Sequence, residues 1–302
     1  MLKDLAELLK SLPGAAKAVA HLIAETGNAG AALLSIGTAK AKQVAQAVSD
    51  ETAARSKLSA ALTKAAEKYI AANAQALGKR ALDHGIRRIM EQQANREAVT
   101  TQALENLLLD PPKQPPGDTP SDDWLNLFGS YAERASSETM RQHWAQILNG
   151  EIRKPGSFSM VTLQIASVLD KRLATIIQTV CSWIVDGDYV PTIGKLNEGE
   201  IYGDLLTLDG IGFLRVGAAS KFYTSGPQGH LALPLGSKTL WGRGPPDKRF
   251  AIRAAFLTLA GRELLSIISY QQNPELEELL TKELQSQGAT NIQALSQTPG
   301  TS

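Results

Sequence analysis

Between Thr38 and Leu109 the chain has no proline and only two glycines, Gly78 and Gly85, and directly afterwards it reads DPPKQPPGDTPS (residues 110–121). Proline fixes φ and lacks an amide donor, so a helix running through the first stretch must stop at the second. As one continuous helix, residues 38–109 would extend about 105 Å at 1.5 Å per residue. The proline-rich stretch favours an extended spacer of about 35 Å. An alanine-rich helical half (1–109), a linker (110–121) and a second half of different composition follow from these two stretches alone.

Within the first half, MLKDLAELLK is an amphipathic helix start with Leu2, Leu5, Leu9 and Leu12 on one face. That stripe suits packing on a neighbouring helix, with contact at a membrane surface as the alternative. Lys3, Asp4 and Glu7 interrupt any signal-peptide core, and no uncharged stretch is long enough to span a bilayer as a helix. Pro13 and Gly14 break the helix, and the small residues of AAKAVAHLIAETGNAGAALLSIGTA predict close helix–helix packing. Leu58, Leu62, Ala65, Tyr69, Ala72 and Ala76 alternate steps of four and three, a heptad seam that predicts self-association of a helical stalk. Gly78 and Gly85 are expected kinks. A helical hairpin is the competing arrangement.

Beyond the linker, Ser121, Ser137 and Ser159 each precede a helical pattern as caps, and a further helix carries LATIIQTVCSWIV. Residues 122–185 are thus expected to form a helical bundle. From Asp186 the pattern changes to helix, strand, long Gly/Pro loop, strand and helix, the order of a winged-helix-like α+β unit over 186–292, with a disordered tail at 293–302. Thr258 and Asn273 are expected caps, and Gly288 an expected helix end. The predicted fold class is mainly α, with that small α+β unit at its C-terminal end.

The stretch DDWLNLFGSYAERASSETMRQHWAQILNGEIRKPGSFSMVTLQIASVL (122–169) resembles the signature of a bacterial family known as domain of unknown function 2806. The residues that carry the resemblance are Trp124, Phe128, Trp144, Ala145, Ile147, Leu148, Gly150, Glu151, Pro155, Gly156, Ser157, Phe158, Ser159, Thr162 and Leu163. EQQANREAVTTQAL (91–104) and LTLAGRELLSI (257–267) are similar to flanking family segments, whereas the alanine-rich N-terminal hundred residues depart from it. The resemblance implies a bacterial, cytoplasmic protein with no assigned reaction, and by association a phage-defence setting. Physically, Gly150 is expected to end its helix. Glu151 should accept hydrogen bonds from amides near the Ser159 helix start, Pro155 and Gly156 should shape the turn, and Phe158 should staple the next helix. The alternative is a protein-binding corner with Phe158 and Arg153 exposed.

Little points to catalysis. His21, His84, His143 and His230 are scattered, no phosphate-loop, dinucleotide or nucleophile-elbow motif occurs, and the lone Cys181 sits in an apolar run. Glu198 with Glu200, and Glu275, Glu277 and Glu278, fall at helix starts, where the dipole favours them. No catalytic residue, metal or cofactor is expected. The formal net charge of +1 gives no global pull toward nucleic acid. One local exception is GSKTLWGRGPPDKRFAIR (236–253), where Lys238, Arg243, Lys248, Arg249 and Arg253 oppose only Asp247 beside Trp241. Laid along phosphates, that loop would bind nucleic acid, although the helix GEIYGDLLTLDG ahead of it is acidic. The sequence therefore favours a non-enzymatic, self-assembling homo-oligomer that senses a protein partner. A nucleic-acid-binding regulator is the alternative, and a peripheral position at the inner membrane face remains an open variant of the first.

Overall fold

The computed structural model describes residues 2–23, 64, 75–114 and 116–296. They fall into two compact units, 1–163 and 164–302.

The first unit is all-helical. Helices α1 (Leu2–Ser11) and α2 (Pro13–Ile23) are separated only by Leu12, and Pro13 takes the first helical position, where a missing amide costs nothing. Of the leucine stripe, Leu12 is buried and Leu5 and Leu9 are half-buried, with Leu8 buried beside them. Along α2, Gly14, Ala15, Ala18 and Ala20 are buried, as expected of small residues at a close approach. A Cβ on Gly14 would lie 3.3 Å from Pro120 Cδ. Helix α3 (Gln75–Leu109) runs unbroken through Gly78 and Gly85. It packs on α1, α2 and two further helices, α4 (Asp122–Ala132) and α5 (Glu138–Arg153). Ser121 Oγ accepts from Trp124 N at 3.2 Å and Ser137 Oγ from Met140 N at 3.3 Å, the expected caps. The apolar face of α5 buries Trp144, Ile147 and Leu148, with Met140 half-buried at its start.

The proline-rich stretch does not separate the compact units. Lys17 Nζ donates to Pro120 O at 2.8 Å and pairs with Asp122 at 2.9 Å, and Arg153 pairs with Asp110 at 3.0 Å. Both ends are thus fastened to the first unit, and the division falls at Leu163/Gln164, inside helix α6 (Met160–Ser167).

The second unit begins with α7 (Lys171–Cys181), capped by Asp170. Then come β1 (Tyr189–Pro191), a 3-10 turn (Gly194–Asn197), α8 (Gly199–Gly210), β2 (Leu214–Arg215), β3 (Ser220–Thr224), β4 (His230–Leu235), β5 (Lys238–Arg243) and β6 (Arg249–Leu257). Helices α9 (Leu259–Leu265) and α10 (Glu275–Ser286) and strand β7 (Thr290–Ser296) complete it. The first antiparallel sheet has β6 at its centre: β1 pairs along one side, and β2 and β3 pair with it as well, with Tyr189 and Arg215 both opposite Phe256. A second sheet has the order β4-β5-β7. The Gly/Pro loop expected ahead of the strand RFAIRAAFL is corrected: Lys238–Arg243 is itself a strand, and the turn Gly244–Lys248 leads from it to β6. Lys238–Arg243 finds partners on both sides, which satisfies its backbone groups better than a loop would. Residues 293–296, expected in a disordered tail, belong to β7 for the same reason. Thr258 Oγ1 caps α9 through Gly261 N at 3.1 Å, Asn273 Oδ1 accepts from Glu275 N at 3.0 Å, and Gly288 follows α10 with φ +93°.

Candidate interaction face

The corner between α5 and α6 accounts for its unusual residues one by one. Helix α5 continues past Gly150 to Arg153, so Gly150 is not a helix end. A Cβ there would meet Phe158 Cε2 at 2.5 Å, so the glycine opens a slot for the ring. Phe158 is accordingly buried, which rules out an exposed aromatic at this corner. Glu151, 2% exposed, accepts from Gly156 N at 2.7 Å and from Phe158 N at 3.0 Å. These are the turn amides rather than those of the α6 start, which Ser159 caps through Thr162 N at 3.3 Å. Trp124 Nε1 donates to Phe158 O at 2.6 Å, its ring stacks on Phe128, and Phe128 meets Trp144 edge-on. Gly156 takes φ +84°, and Pro155 is half-buried beside it. Arg153 reaches Asn149 and Asp110 instead of projecting into solvent. The Glu151, Trp124 Nε1 and Arg153–Asp110 contacts each fasten one backbone segment to another.

The six basic and aromatic residues of 236–253 are dispersed by the strands. Arg249 and Arg253 lie on the exposed side of β6, and the Arg249 guanidinium stands 3.9 Å above the ring of Phe222 on β3. Phe222 is 48% exposed and was not singled out from the sequence; the alternation of SKFYT was the available signal. Trp241 and Arg243 sit on β5 in the second sheet, opposite Ala232 and His230, and both are exposed. Lys238 is diverted to Glu277 at 2.9 Å. Lys248 is half-buried, donates to Gln287 O, and lies 5.5 Å above the Phe250 ring. The predicted single patch thus becomes a pair of arginines with an aromatic on one sheet and a Trp–Arg pair on the other.

Helix α8 contrasts with those arginines. It contains no Lys or Arg, exposes Glu200 and Leu206, and has Glu198 just before it. Burial, with Glu200 nearby, holds the Asp204 carboxyl above its ordinary range. Behind the first sheet, Asp188 pairs with Lys221 at 2.8 Å and with Arg262 at 3.5 Å, and Tyr189 Oη lies 2.9 Å from Tyr223 Oη. The hydrogen bond from Lys221 to Asp188 raises the Lys221 pKa, and burial raises that of Tyr189. This cluster ties β1, β3 and α9 together.

Other ingredients of chemistry are sparse. Among the described residues no three His, Cys, Asp or Glu side chains converge on a metal position. Cys181 is buried, and burial pushes its thiol up to about 12. A depression of about 590 Å³ is lined by Gln178, Thr179, Ser182, Ser269, Tyr270 and Gln271, a neutral polar set. No helix among the described residues is long and apolar enough to cross a membrane. Of the expected oligomerisation seam, Leu58, Leu62, Ala65, Tyr69 and Ala72 lie outside the described residues, and Ala76 falls in the first turn of α3.

A protein family, "Protein of unknown function (DUF2806)", matches residues 79–192. The match covers a little over a third of the chain. The DUF2806 segment runs from the first part of α3 through the Pro-Gly corner to the end of β1, so it contains Trp124, Gly150, Glu151 and Phe158. Strands β2 to β7, with all the arginines of the exposed sheets, lie beyond it. Comparison with curated proteins and with solved structures gave no match.

Proposed function

We propose that this DUF2806 protein is a non-enzymatic binding protein that self-assembles through its N-terminal helical region and recognises a protein partner through its C-terminal unit. A winged-helix-like reading of this unit is supported by the order α7, β1, 3-10 turn, α8, β2/β3, β6, with β6 between β1 and β2. In such a module α8 takes the place of the recognition helix. Its composition carries the proposal: an acidic helix without Lys or Arg repels phosphates, while its exposed Leu206 (50%) suits a protein surface. A bacterial phage-defence setting belongs to the same proposal and rests on the family resemblance alone. A photo-crosslinking residue at position 206 of the full chain tests partner recognition in cells. Capture of one protein species from position 206, and not from exposed Thr175, is expected. Capture of nucleic acid, or of nothing, refutes it.

A second reading, nucleic-acid binding by the strands, is favoured by the Arg249–Phe222 stack beside Arg253, since bases stack on aromatic rings and guanidinium planes. A mobility shift that weakens with salt and disappears on replacing Arg243, Arg249 and Arg253 with alanine would support it; salt-independent or absent binding would end it.

A further inference from the structure

Strands β3 to β6 share one register. β3 pairs with β6 from Ser220↔Arg253 to Thr224↔Arg249, and β4 pairs with β5 from His230↔Arg243 to Leu235↔Lys238. The residues between them, 225–229 on one side and 244–248 on the other, are equal in number, and backbone bonds cross there too. Ser225 N donates to Lys248 O at 3.0 Å, and Gly244 N to Gly229 O at 2.9 Å. The two sheets are therefore joined by a single long hairpin, one arm β3–β4 and the other β5–β6, turning at Gly236 with φ +61°. Side chains alternate along a strand, so a kept register puts the same alternate residues outward in both halves. Leu231, Leu233, Leu240, Phe250 and Ile252 are buried. The alternate set exposes Phe222, His230, Trp241, Arg243, Arg249 and Arg253.

Two properties of that outward set say what it fits. The first is charge of one sign: from Ser220 to Arg253 the single carboxylate is Asp247, in the turn between β5 and β6. The lysines of this segment are engaged, Lys221 by Asp188, Lys238 by Glu277 and Lys248 by the Gln287 carbonyl. Arg243, Arg249 and Arg253 pair with no carboxylate among the described residues. The second is flat surface. Trp241 is 46% exposed, and Phe222, 48% exposed, carries the Arg249 guanidinium 3.9 Å above its ring. Planar groups of this kind stack on nucleobases, and only an unpaired strand offers base faces, since a duplex stacks its own inside. An acidic peptide would pair with the arginines but gives the two planes nothing to stack on.

We propose that the outer face of this hairpin binds single-stranded nucleic acid, with bases stacked on Trp241 and on the Arg249–Phe222 pair and phosphates held by Arg243 and Arg253. The proposal rests on the second reading above and names its ligand and its stacking groups. Arg249 lies eight positions beyond Trp241 on the same arm, a distance of at most about 27 Å. A strand of several nucleotides is needed to reach both.

Fluorescence anisotropy of the full chain with a labelled oligothymidylate of about twelve nucleotides, alone or paired to oligodeoxyadenylate, tests it across a salt series. The single strand is expected to bind at least about tenfold tighter than the duplex. Trp241→Ala and Phe222→Ala should each weaken it about fivefold or more with the salt slope unchanged, because a ring neutralises no phosphate. Arg243→Ala and Arg253→Ala should instead lower the slope by about 0.7 each. Trp241→Phe keeps a ring and should keep most of the binding, which separates loss of stacking from loss of fold. No salt-sensitive binding of either probe overturns both this proposal and the second reading. Equal affinity for strand and duplex, or ring variants that bind like wild type while the arginine variants do not, overturns the stacking face alone. Competition by polyglutamate as strong as by unlabelled oligonucleotide assigns the face to an acidic protein and overturns it as well.

Discussion

Glu151 is the residue whose removal tests the corner most directly. Its carboxylate accepts from the Phe158 amide at 3.0 Å and the Gly156 amide at 2.7 Å, and the side chain is 2% exposed. The two amides differ: Phe158 is buried, whereas Gly156 is exposed and can turn to water. In Glu151→Ala the Phe158 amide loses its acceptor inside the protein, costing about 1–3 kcal/mol, and the charge-assisted bond to Gly156 adds about 1 kcal/mol net of its replacement by water. The expected total is about 2–4 kcal/mol. Glu151→Gln retains one acceptor oxygen, so only one amide is stranded and the loss should be roughly half. Urea titration followed by the fluorescence of Trp124 and Trp144 reports on the first unit, in a chain where Trp183 and Trp241 of the second are replaced by phenylalanine. A lower midpoint with an unchanged slope, graded Ala below Gln below wild type, is expected. If both variants unfold within about 0.5 kcal/mol of wild type, Glu151 does not hold the turn and the fastening account of the corner fails.

Three further outcomes follow from the second unit. Gly261→Ala should destabilise it by more than about 3 kcal/mol, because a Cβ there would fall 2.0 Å from the Phe213 carbonyl oxygen, and backbone cannot step aside as a side chain does; thermal unfolding reads this. Cys181, buried with its thiol raised to about 12, should resist a thiol reagent at pH 8 in the native chain and react promptly in urea; equal rates would contradict its burial. Lys221 has its pKa raised in the fold by its hydrogen bond to Asp188, so its contribution is complete below the unfolded lysine value near ~10.4 and is lost as pH rises through the folded value. Lys221→Met should therefore flatten the alkaline decline in stability, and a decline as steep as that of wild type would contradict the assignment.

Short-range features are legible in the order of residues. Ser121, Ser137, Ser159 and Thr258 cap their helices because a cap needs only a hydroxyl and an amide three residues on. The apolar face of α5 is legible for a similar reason, since i, i+4 and i+7 positions stack whatever the helix packs against. The special standing of Gly150 is legible too, but its cause is not: the ring it admits is eight residues away, across a turn. Phe222 escapes notice because its exposure depends on the pairing of β3 with β6, which sets it opposite Ala251, far along the chain.

By its own pattern the chain determined where several helices start, which faces are apolar, and the family that residues 79–192 resemble. Only the tertiary structure decided that residues 110–121 fasten to the first unit, that Lys238–Arg243 of the basic segment is a strand between two others, and that Lys238 and Lys248 are engaged by Glu277 and Gln287. Caps and periodicity are set within one or two helical turns, where chain connectivity brings the partners together. Strand pairing and ion pairs join distant residues through loop closure, and their partners are chosen by which backbone groups and charges would otherwise be left unsatisfied.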